Sequence, residues 1–320
     1  MRAITAGVVL TSIGLAVAGT AQAQVTGRVV LGFAAGGSVA TVTTMTADKL
    51  REALGHPFIH DNRAGAEGIL AINAVKASEP NGNTLLMTPI ANICIYPHTY
   101  KSLPYDPQRD FIPVAMVGAF NFVLASGPAV PGKTLAEFIA WAKANPKQAA
   151  FGTPGRGNIP HFFGLMFARA AGIELTNVPY KGSAPMVNDV AGGHVAAGVT
   201  TLGDFLTMAQ AGRLQLLAHS GKERSVLAPD VPTFRELGYP GLQGGGWYGL
   251  FAPAGTPVAM VERINRIVVA GQQAPDMSGR MRSLGLEIEL TTPAEFAAIV
   301  RADTERWGEV IRAAGFAGSQ

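Results

Sequence analysis

"FGTPGRGNIPHFFGLMFARA", residues Phe151 to Ala170, decides the fold. An apolar residue leads into a loop whose glycines at 152, 155 and 157 are spaced by Thr153, Pro154 and Arg156. Asn158 then opens an apolar, helix-like run. Strand, glycine loop and helix in that order leave the N–H groups of a first helical turn free to hold an anion. Thr153 and Asn158 add side-chain donors. His161 reads equally as a donor at the helix start or as an imidazole packed in a core. Arg156 reads as a partner for an acid or as a solvated loop charge.

Outward from this stretch the same rhythm repeats. On the N-terminal side, "RVVLGF" (28–33) reads as a buried strand, followed by the loop "AAGGS" and a helical pattern ending at Gly55. A short strand at 58–60, a helix beginning at Ile69 and stopped by Pro80, and the strand "NTLLMT" complete a β-α-β-α-β set. That set predicts a parallel sheet flanked by helices. A strand near 113–117 and another in "NFVLASGP" follow. Thr134 and Glu137 have the spacing of a capping box at a helix start. A second β-α-β-α-β set runs from about Ser126 to Ser220, with one helix opened by Ser183 and closed by Gly192. "WYGLFAP" (247–253) reads as a further strand, and helices are predicted at 258–270, 277–284 and 293–314. The expected class is α/β, with mostly parallel sheets in two domains. Ligands in such sheets lie beyond the carboxyl ends of the strands, so facing domains would enclose one between helix N-termini.

Composition narrows the function. The chain has 320 residues, 48% hydrophobic and 15% charged, with a formal net charge of +3. A large core is readily buried, and a charge this sparse gives no nucleic-acid surface. "MRAITAGVVLTSIGLAVAGTAQAQ" has a positive start, an apolar stretch and the small-x-small site Ala21-Gln22-Ala23. It reads as an export signal over 1–23, cut near Ala23, rather than as a membrane anchor. The single cysteine, Cys94, excludes an internal disulfide, and its apolar neighbours point to a buried inert thiol.

Motif by motif, the chemistry that emerges is binding. No lysine follows "AAGGS" to make a phosphate loop, and no dinucleotide fingerprint opens that helix. What remains is a helix start with Gly36, Gly37 and the Ser38 hydroxyl, suited to a carboxylate, against the plain alternative of a tight turn. Lys181 in "VPYKGSAP" reads as an anion contact or a solvated charge. "TPIANI" (88–93) and "TTLGD" (200–204) end strands and so reach the cleft edge. There is no GxSxG elbow, no HExxH or CxxC, and no carboxylate pair set for acid–base work. No metal site or cofactor is expected.

With these segments placed, the chain resembles the Bug family, periplasmic substrate-binding receptors of tripartite tricarboxylate transporters. "FAAGGS", "DNRAGAEG", "NGNTLLM", "YKSLPYDPQRDFIPV", "KTLAEFIAWAKANP", "FGTPGRGN", "VPYKGSAP", "DVPTFRELGYPG" and "WYGLFAPAGTP" carry the likeness in order. The resemblance implies a two-domain Venus-flytrap fold without cofactor. One domain would comprise 24–124 with 245–320, the other 125–244. It also implies capture of a small carboxylated solute and delivery to a membrane permease. A monomer is the default expectation. By position, Ala35, Gly36, Gly37 and Ser38 would form the first ligand loop, with Thr88, Ala91 and Asn92 on the next. Thr153, Gly155, Asn158 and His161 would form the loop of the second domain, and Thr200 and Thr201 would close the pocket. The chain departs from the family pattern at Ala35 (usually Pro), at Ala40 (commonly Asp), at Thr200-Thr201 (commonly Asp-Asn) and around Phe162, Phe163 and Leu165. Fewer acids predict a neutral or aromatic body carrying a carboxylate in preference to an amino acid. A sensory receptor and a periplasmic enzyme on a carboxylated substrate are the other readings.

Overall fold

The structure is a computed structural model and describes residues 26–33, 38–180, 182–313 and 315–319. The leader over 1–23, the loop residues Ala35, Gly36 and Gly37, and Lys181 lie outside the described residues. Two five-stranded sheets, each wrapped by helices, make two lobes. The first lobe begins with β1 (Gly27–Leu31), α1 (Ser38–Leu54), β2 (Phe58–Asn62), α2 (Ile69–Lys76) and β3 (Thr84–Pro89). A π-helical turn (Ala91–Ile95) runs into α3 (Tyr96–Thr99), and α4 (Pro107–Asp110) precedes β4 (Phe111–Phe120).

The chain then enters the second sheet with β5 (Phe122–Ser126) and α5 (Leu135–Ala144). Thr134 Oγ1 accepts from the Glu137 N–H while Glu137 accepts from the Thr134 N–H, so the predicted capping box is present. β6 (Ala150–Thr153), α6 (Ile159–Ala171), β7 (Thr176–Pro179), α7 (Ser183–Ala191), β8 (Ala197–Thr201), α8 (Leu202–Gln210) and β9 (Gln215–His219) follow. β10 (Gly246–Pro253) returns to the first sheet, and α9 (Val258–Gln273), α10 (Pro275–Ser283) and α11 (Pro293–Ala313) finish the chain. α9 packs between α1 and β4, and α11 lies on β4 and the π-helical turn.

Strand order is β2-β1-β3-β10-β4 in the first sheet and β7-β6-β8-β5-β9 in the second. The expectation of mostly parallel sheets needs correcting. β10 is antiparallel to both β3 and β4, and β5 to both β8 and β9. The reason is connectivity. β5 and β10 are the strands by which the chain enters each sheet from the other, so they run away from the cleft, whereas their neighbours run toward it. Each reversed strand is interior and so makes two antiparallel pairings. Ser183 opens α7 and Gly192 closes it, as expected, with Gly182 at φ 106° in the N-cap position.

The crossings between sheets are thin. Asn121 alone separates β4 from β5. On the return, the Gly244 N–H donates to Ser220 O at 2.8 Å. A Cβ on Gly245 would stand 1.8 Å from Phe120 O, so only glycine passes there. The main core nevertheless runs through both sheets. Phe122 is 1% exposed and packs on Phe120 at 5.7 Å between ring centroids and on Phe163 at 5.6 Å. A smaller cluster around Met186, Val190 and Phe205 serves the second sheet alone. Cys94 is buried, its S–H directed at Val300 O, and burial pushes its thiol up to about 12. Among the described residues, no helix is long and apolar enough to cross a membrane.

Candidate functional site

A cavity of about 550 Å³ opens between the lobes where the carboxyl ends of the strands converge. This is within the range of small-molecule sites. Its two walls differ in chemistry. The first lobe contributes Phe33, Val39, Pro89, Ile90, Ala91, Tyr96, Phe120 and Tyr248, with Ser38 and Glu67 among them. The second contributes the loop Pro154–Ile159, then Gly182, Ser183, Thr200, Thr201 and Asp204, with Phe122 at the seam.

On the first wall, Ser38 at the start of α1 hydrogen-bonds the Tyr248 hydroxyl at 3.0 Å. Burial pushes the Tyr248 phenol up to about 12, the Ser38 bond opposes this, and the charge of Asp204 across the cleft adds to it. Gly65, Ala66, Glu67 and Gly68 all have positive φ, at 143°, 45°, 54° and 95°. Two non-glycine residues in the left-handed region cost on the order of 1 kcal/mol each, so something must hold this turn. Asn92 does so: its Nδ2 donates to Glu67 O at 2.9 Å, and its Oδ1 accepts from Thr88 Oγ1 at 3.1 Å. The Glu67 carboxylate then faces the cleft, with one oxygen accepting from Tyr100.

Of the residues expected on this side, the structure therefore brings Ser38 and Ala91 to the cavity. Thr88 and Asn92 stand behind it, buried and bonded to each other. Their polarity anchors the 65–68 turn from below.

On the second wall, three helices start at the cleft. α6 is capped by Asn158, whose Oδ1 accepts from the His161 N–H at 3.0 Å. α7 and α8 have no side-chain cap; N–H groups in the first turn of α7 are open to a ligand, whereas at α8 the Leu202 N–H is already given to Asn121 O at 3.3 Å. Gly155 and Asn158 line the cavity as expected. Thr153 does not: its hydroxyl donates to Gly155 O at 2.8 Å and accepts from Asn177 Nδ2 at 2.9 Å, which fixes the loop from within. His161 proves to be the packed imidazole. It is 4% exposed, its Nδ1 accepts from the Gly157 N–H at 3.1 Å, and its ring stacks on Phe162 and meets Phe316 edge-on. Burial, aided by the Arg156 charge, pushes it down to about 4, so it is neutral at pH 7.

Thr200 and Thr201 reach the cavity, but in company that the sequence reading missed. Both hydroxyls donate to Asp204 Oδ2, at 2.6 and 3.0 Å. The wall is thus acidic after all, the carboxylate coming from the first turn of α8 instead of the strand end. Leu165 faces a different groove, between α6 and α11, and Ala40 is buried inside α1, so neither departure touches the ligand cleft. Among the described residues, no group of three or more His, Cys, Asp or Glu side chains is placed to hold a metal ion.

Two sheeted lobes around a cleft at which helix N-termini converge define a solute-binding protein of the Venus-flytrap class. Residues 42–316 match the family model described as "Tripartite tricarboxylate transporter family receptor". The chain belongs to that family, whose members are receptors and not enzymes. It is 32% identical over 289 residues to protein BugT of Bordetella pertussis, covering 90% of this chain and 89% of BugT. A Rhodopseudomonas palustris protein solved with adipate superposes with a TM-score of 0.83 at 29% identity, over 91% of this chain and 98% of that one. MatC from Rhodopseudomonas palustris with bound malate gives 0.78 at 30%, over 89% and 98%.

Proposed function

We propose that this protein captures a small carboxylate between its lobes in the periplasm and hands it to the membrane permease of a tripartite transporter. It acts as a monomer after removal of residues 1–23 near Ala23, and its moving bodies are 24–124 with 245–320 against 125–244. The observation that carries the reading is the second wall. The uncapped first turn of α7 and the glycine loop ahead of α6 face one cavity, and such N–H groups favour an anion. Opposite them, Phe33, Ile90, Phe120 and Tyr248 offer an apolar surface to the body of the ligand. Ligands of the relatives support the same class: adipate in one structure, malate in another.

Closure over the ligand would change the surface shown to the permease, because a ligand that bridges both walls favours the closed state. Thermal unfolding of the mature protein against mono-, di- and tricarboxylates, aromatic acids and amino acids tests this. A ligand at 100 times its dissociation constant adds about 2.7 kcal/mol to stability. A folded protein that no carboxylate shifts would refute the reading.

A further inference from the structure

We propose that Asp204 determines which carboxylates the cleft accepts: it selects an acid that also carries a hydrogen-bond donor, a hydroxyl or an ammonium, over the same acid without one. The inference rests on the carboxylate-receptor reading above.

A threonine hydroxyl has one proton to give. Those of Thr200 and Thr201 both go to Asp204 Oδ2, at 2.6 and 3.0 Å. Neither hydroxyl can then donate to a ligand; each offers only lone pairs. Asp204 Oδ1 receives no hydrogen bond among the described residues, and no ion pair among them neutralises the carboxylate. The side chains of Thr200, Thr201 and Asp204 therefore present acceptors alone. Its nearness to the opposite wall shows in its effect on the buried Tyr248 hydroxyl. The donors of the second wall lie elsewhere, at the 154–158 loop with its Arg156 and at the first turn of α7.

A bound acid has its carboxylate at those donors and some other group against Asp204. If that group is an alkyl hydrogen or a second carboxylate, closure leaves Asp204 desolvated and unpaired or meets it with like charge, and both are unfavourable. A hydroxyl or ammonium supplies the missing proton, and a bond to an ionised acceptor is among the stronger kinds. Threonines at 200 and 201 thus do not make the wall neutral. They aim an acid that enters from the first turn of α8, and an ammonium is as welcome there as a hydroxyl.

Titration calorimetry on the wild-type protein with two matched triads tests this. One is succinate, malate and aspartate; the other is 3-phenylpropanoate, phenyllactate and phenylalanine. In each triad the carbon skeleton is constant, and the donor is absent, a hydroxyl or an ammonium. In whichever triad binds, the better donor-bearing member should bind about 10-fold or more tightly than the plain one. The order of the other two members tells hydroxyl from ammonium.

In Asp204→Asn the donor-bearing member should weaken by about 10- to 100-fold, and the plain member by less than about threefold. A plain acid that binds wild type as tightly as its donor-bearing partners overturns the proposal, as does an unchanged ratio in Asp204→Asn. Should that variant fail to fold, the wild-type ratio alone decides. Failure of all six acids to bind would overturn this inference; the wider carboxylate panel above then decides the carboxylate reading separately.

Discussion

The two walls of the cleft are built by opposite means. The first-lobe wall is a surface of side chains, Phe33, Ile90, Phe120 and Tyr248, standing on strand ends and backed by the core. The second-lobe wall is largely backbone: a glycine loop and an open helix start, with polar side chains turned to hold them in place. Apolar contact is tolerant of shape, while a polar wall discriminates by what it leaves unpaired. One lobe can therefore hold the body of a ligand while the other reads its functional groups.

The strongest way to break this picture is at the seam. Phe122 joins Phe120 on one side to Phe163 on the other. Phe122→Ala should cost about 3–5 kcal/mol in denaturant unfolding, and a cost below about 1.5 kcal/mol would mean that the walls do not share a core.

Next comes the support beneath the polar wall. His161 has a folded value of about 4 against 6.5 for the free group. A histidine buried neutral contributes stability that is fully present above pH 6.5 and is lost as pH falls from 6.5 toward 4, by up to about 3 kcal/mol. His161→Phe should flatten the urea-midpoint profile over that window, and it should cost about 1–3 kcal/mol at pH 7.5 because the Gly157 N–H loses its acceptor. A profile as steep as that of wild type would place the titration elsewhere.

On the apolar side, Asn92→Ala frees the strained 65–68 turn and strands the Thr88 hydroxyl. About 2 kcal/mol of destabilisation is expected by urea unfolding, together with faster amide exchange confined to that turn. Smallest is Tyr248→Phe, which removes the bond to Ser38 but keeps the ring. Stability should fall by about 1 kcal/mol and ligand affinity by less than about fivefold. A larger loss of affinity would make Tyr248 a reader of polar groups and blur the division between the walls.

Much of this architecture was legible in the chain. Glycine loops after strands and the Thr134–Glu137 cap are local signals, and local signals survive folding. The reversal of β10 was not, because strand direction depends on which lobe the chain comes from, and nothing in "WYGLFAP" encodes that. Thr88, Asn92 and Thr153 sit where strands end and where the family resemblance puts ligand contacts. Whether such a residue faces the cleft or a neighbour is decided by a few ångströms of tertiary packing. Tyr248 was passed over inside an apolar run, although a hydroxyl at alternate positions from Gly246 and Leu250 was a usable hint. Asp204 was in view as the end of "TTLGD". Its reach back to Thr200 and Thr201 appears only once the strand turns into the helix.

The place of β10 between β3 and β4 also dictates an order of assembly. A growing chain has β3 and β4 in hand early but cannot join either to β10 until the whole second sheet has been made. The second lobe can close on its own residues, whereas the first must wait for its last strand and its final helices. Sheets whose pairing spans such sequence distances form slowly and expose unpaired edges meanwhile. The first sheet is thus the last part of the molecule to be completed, although four of its strands are made first.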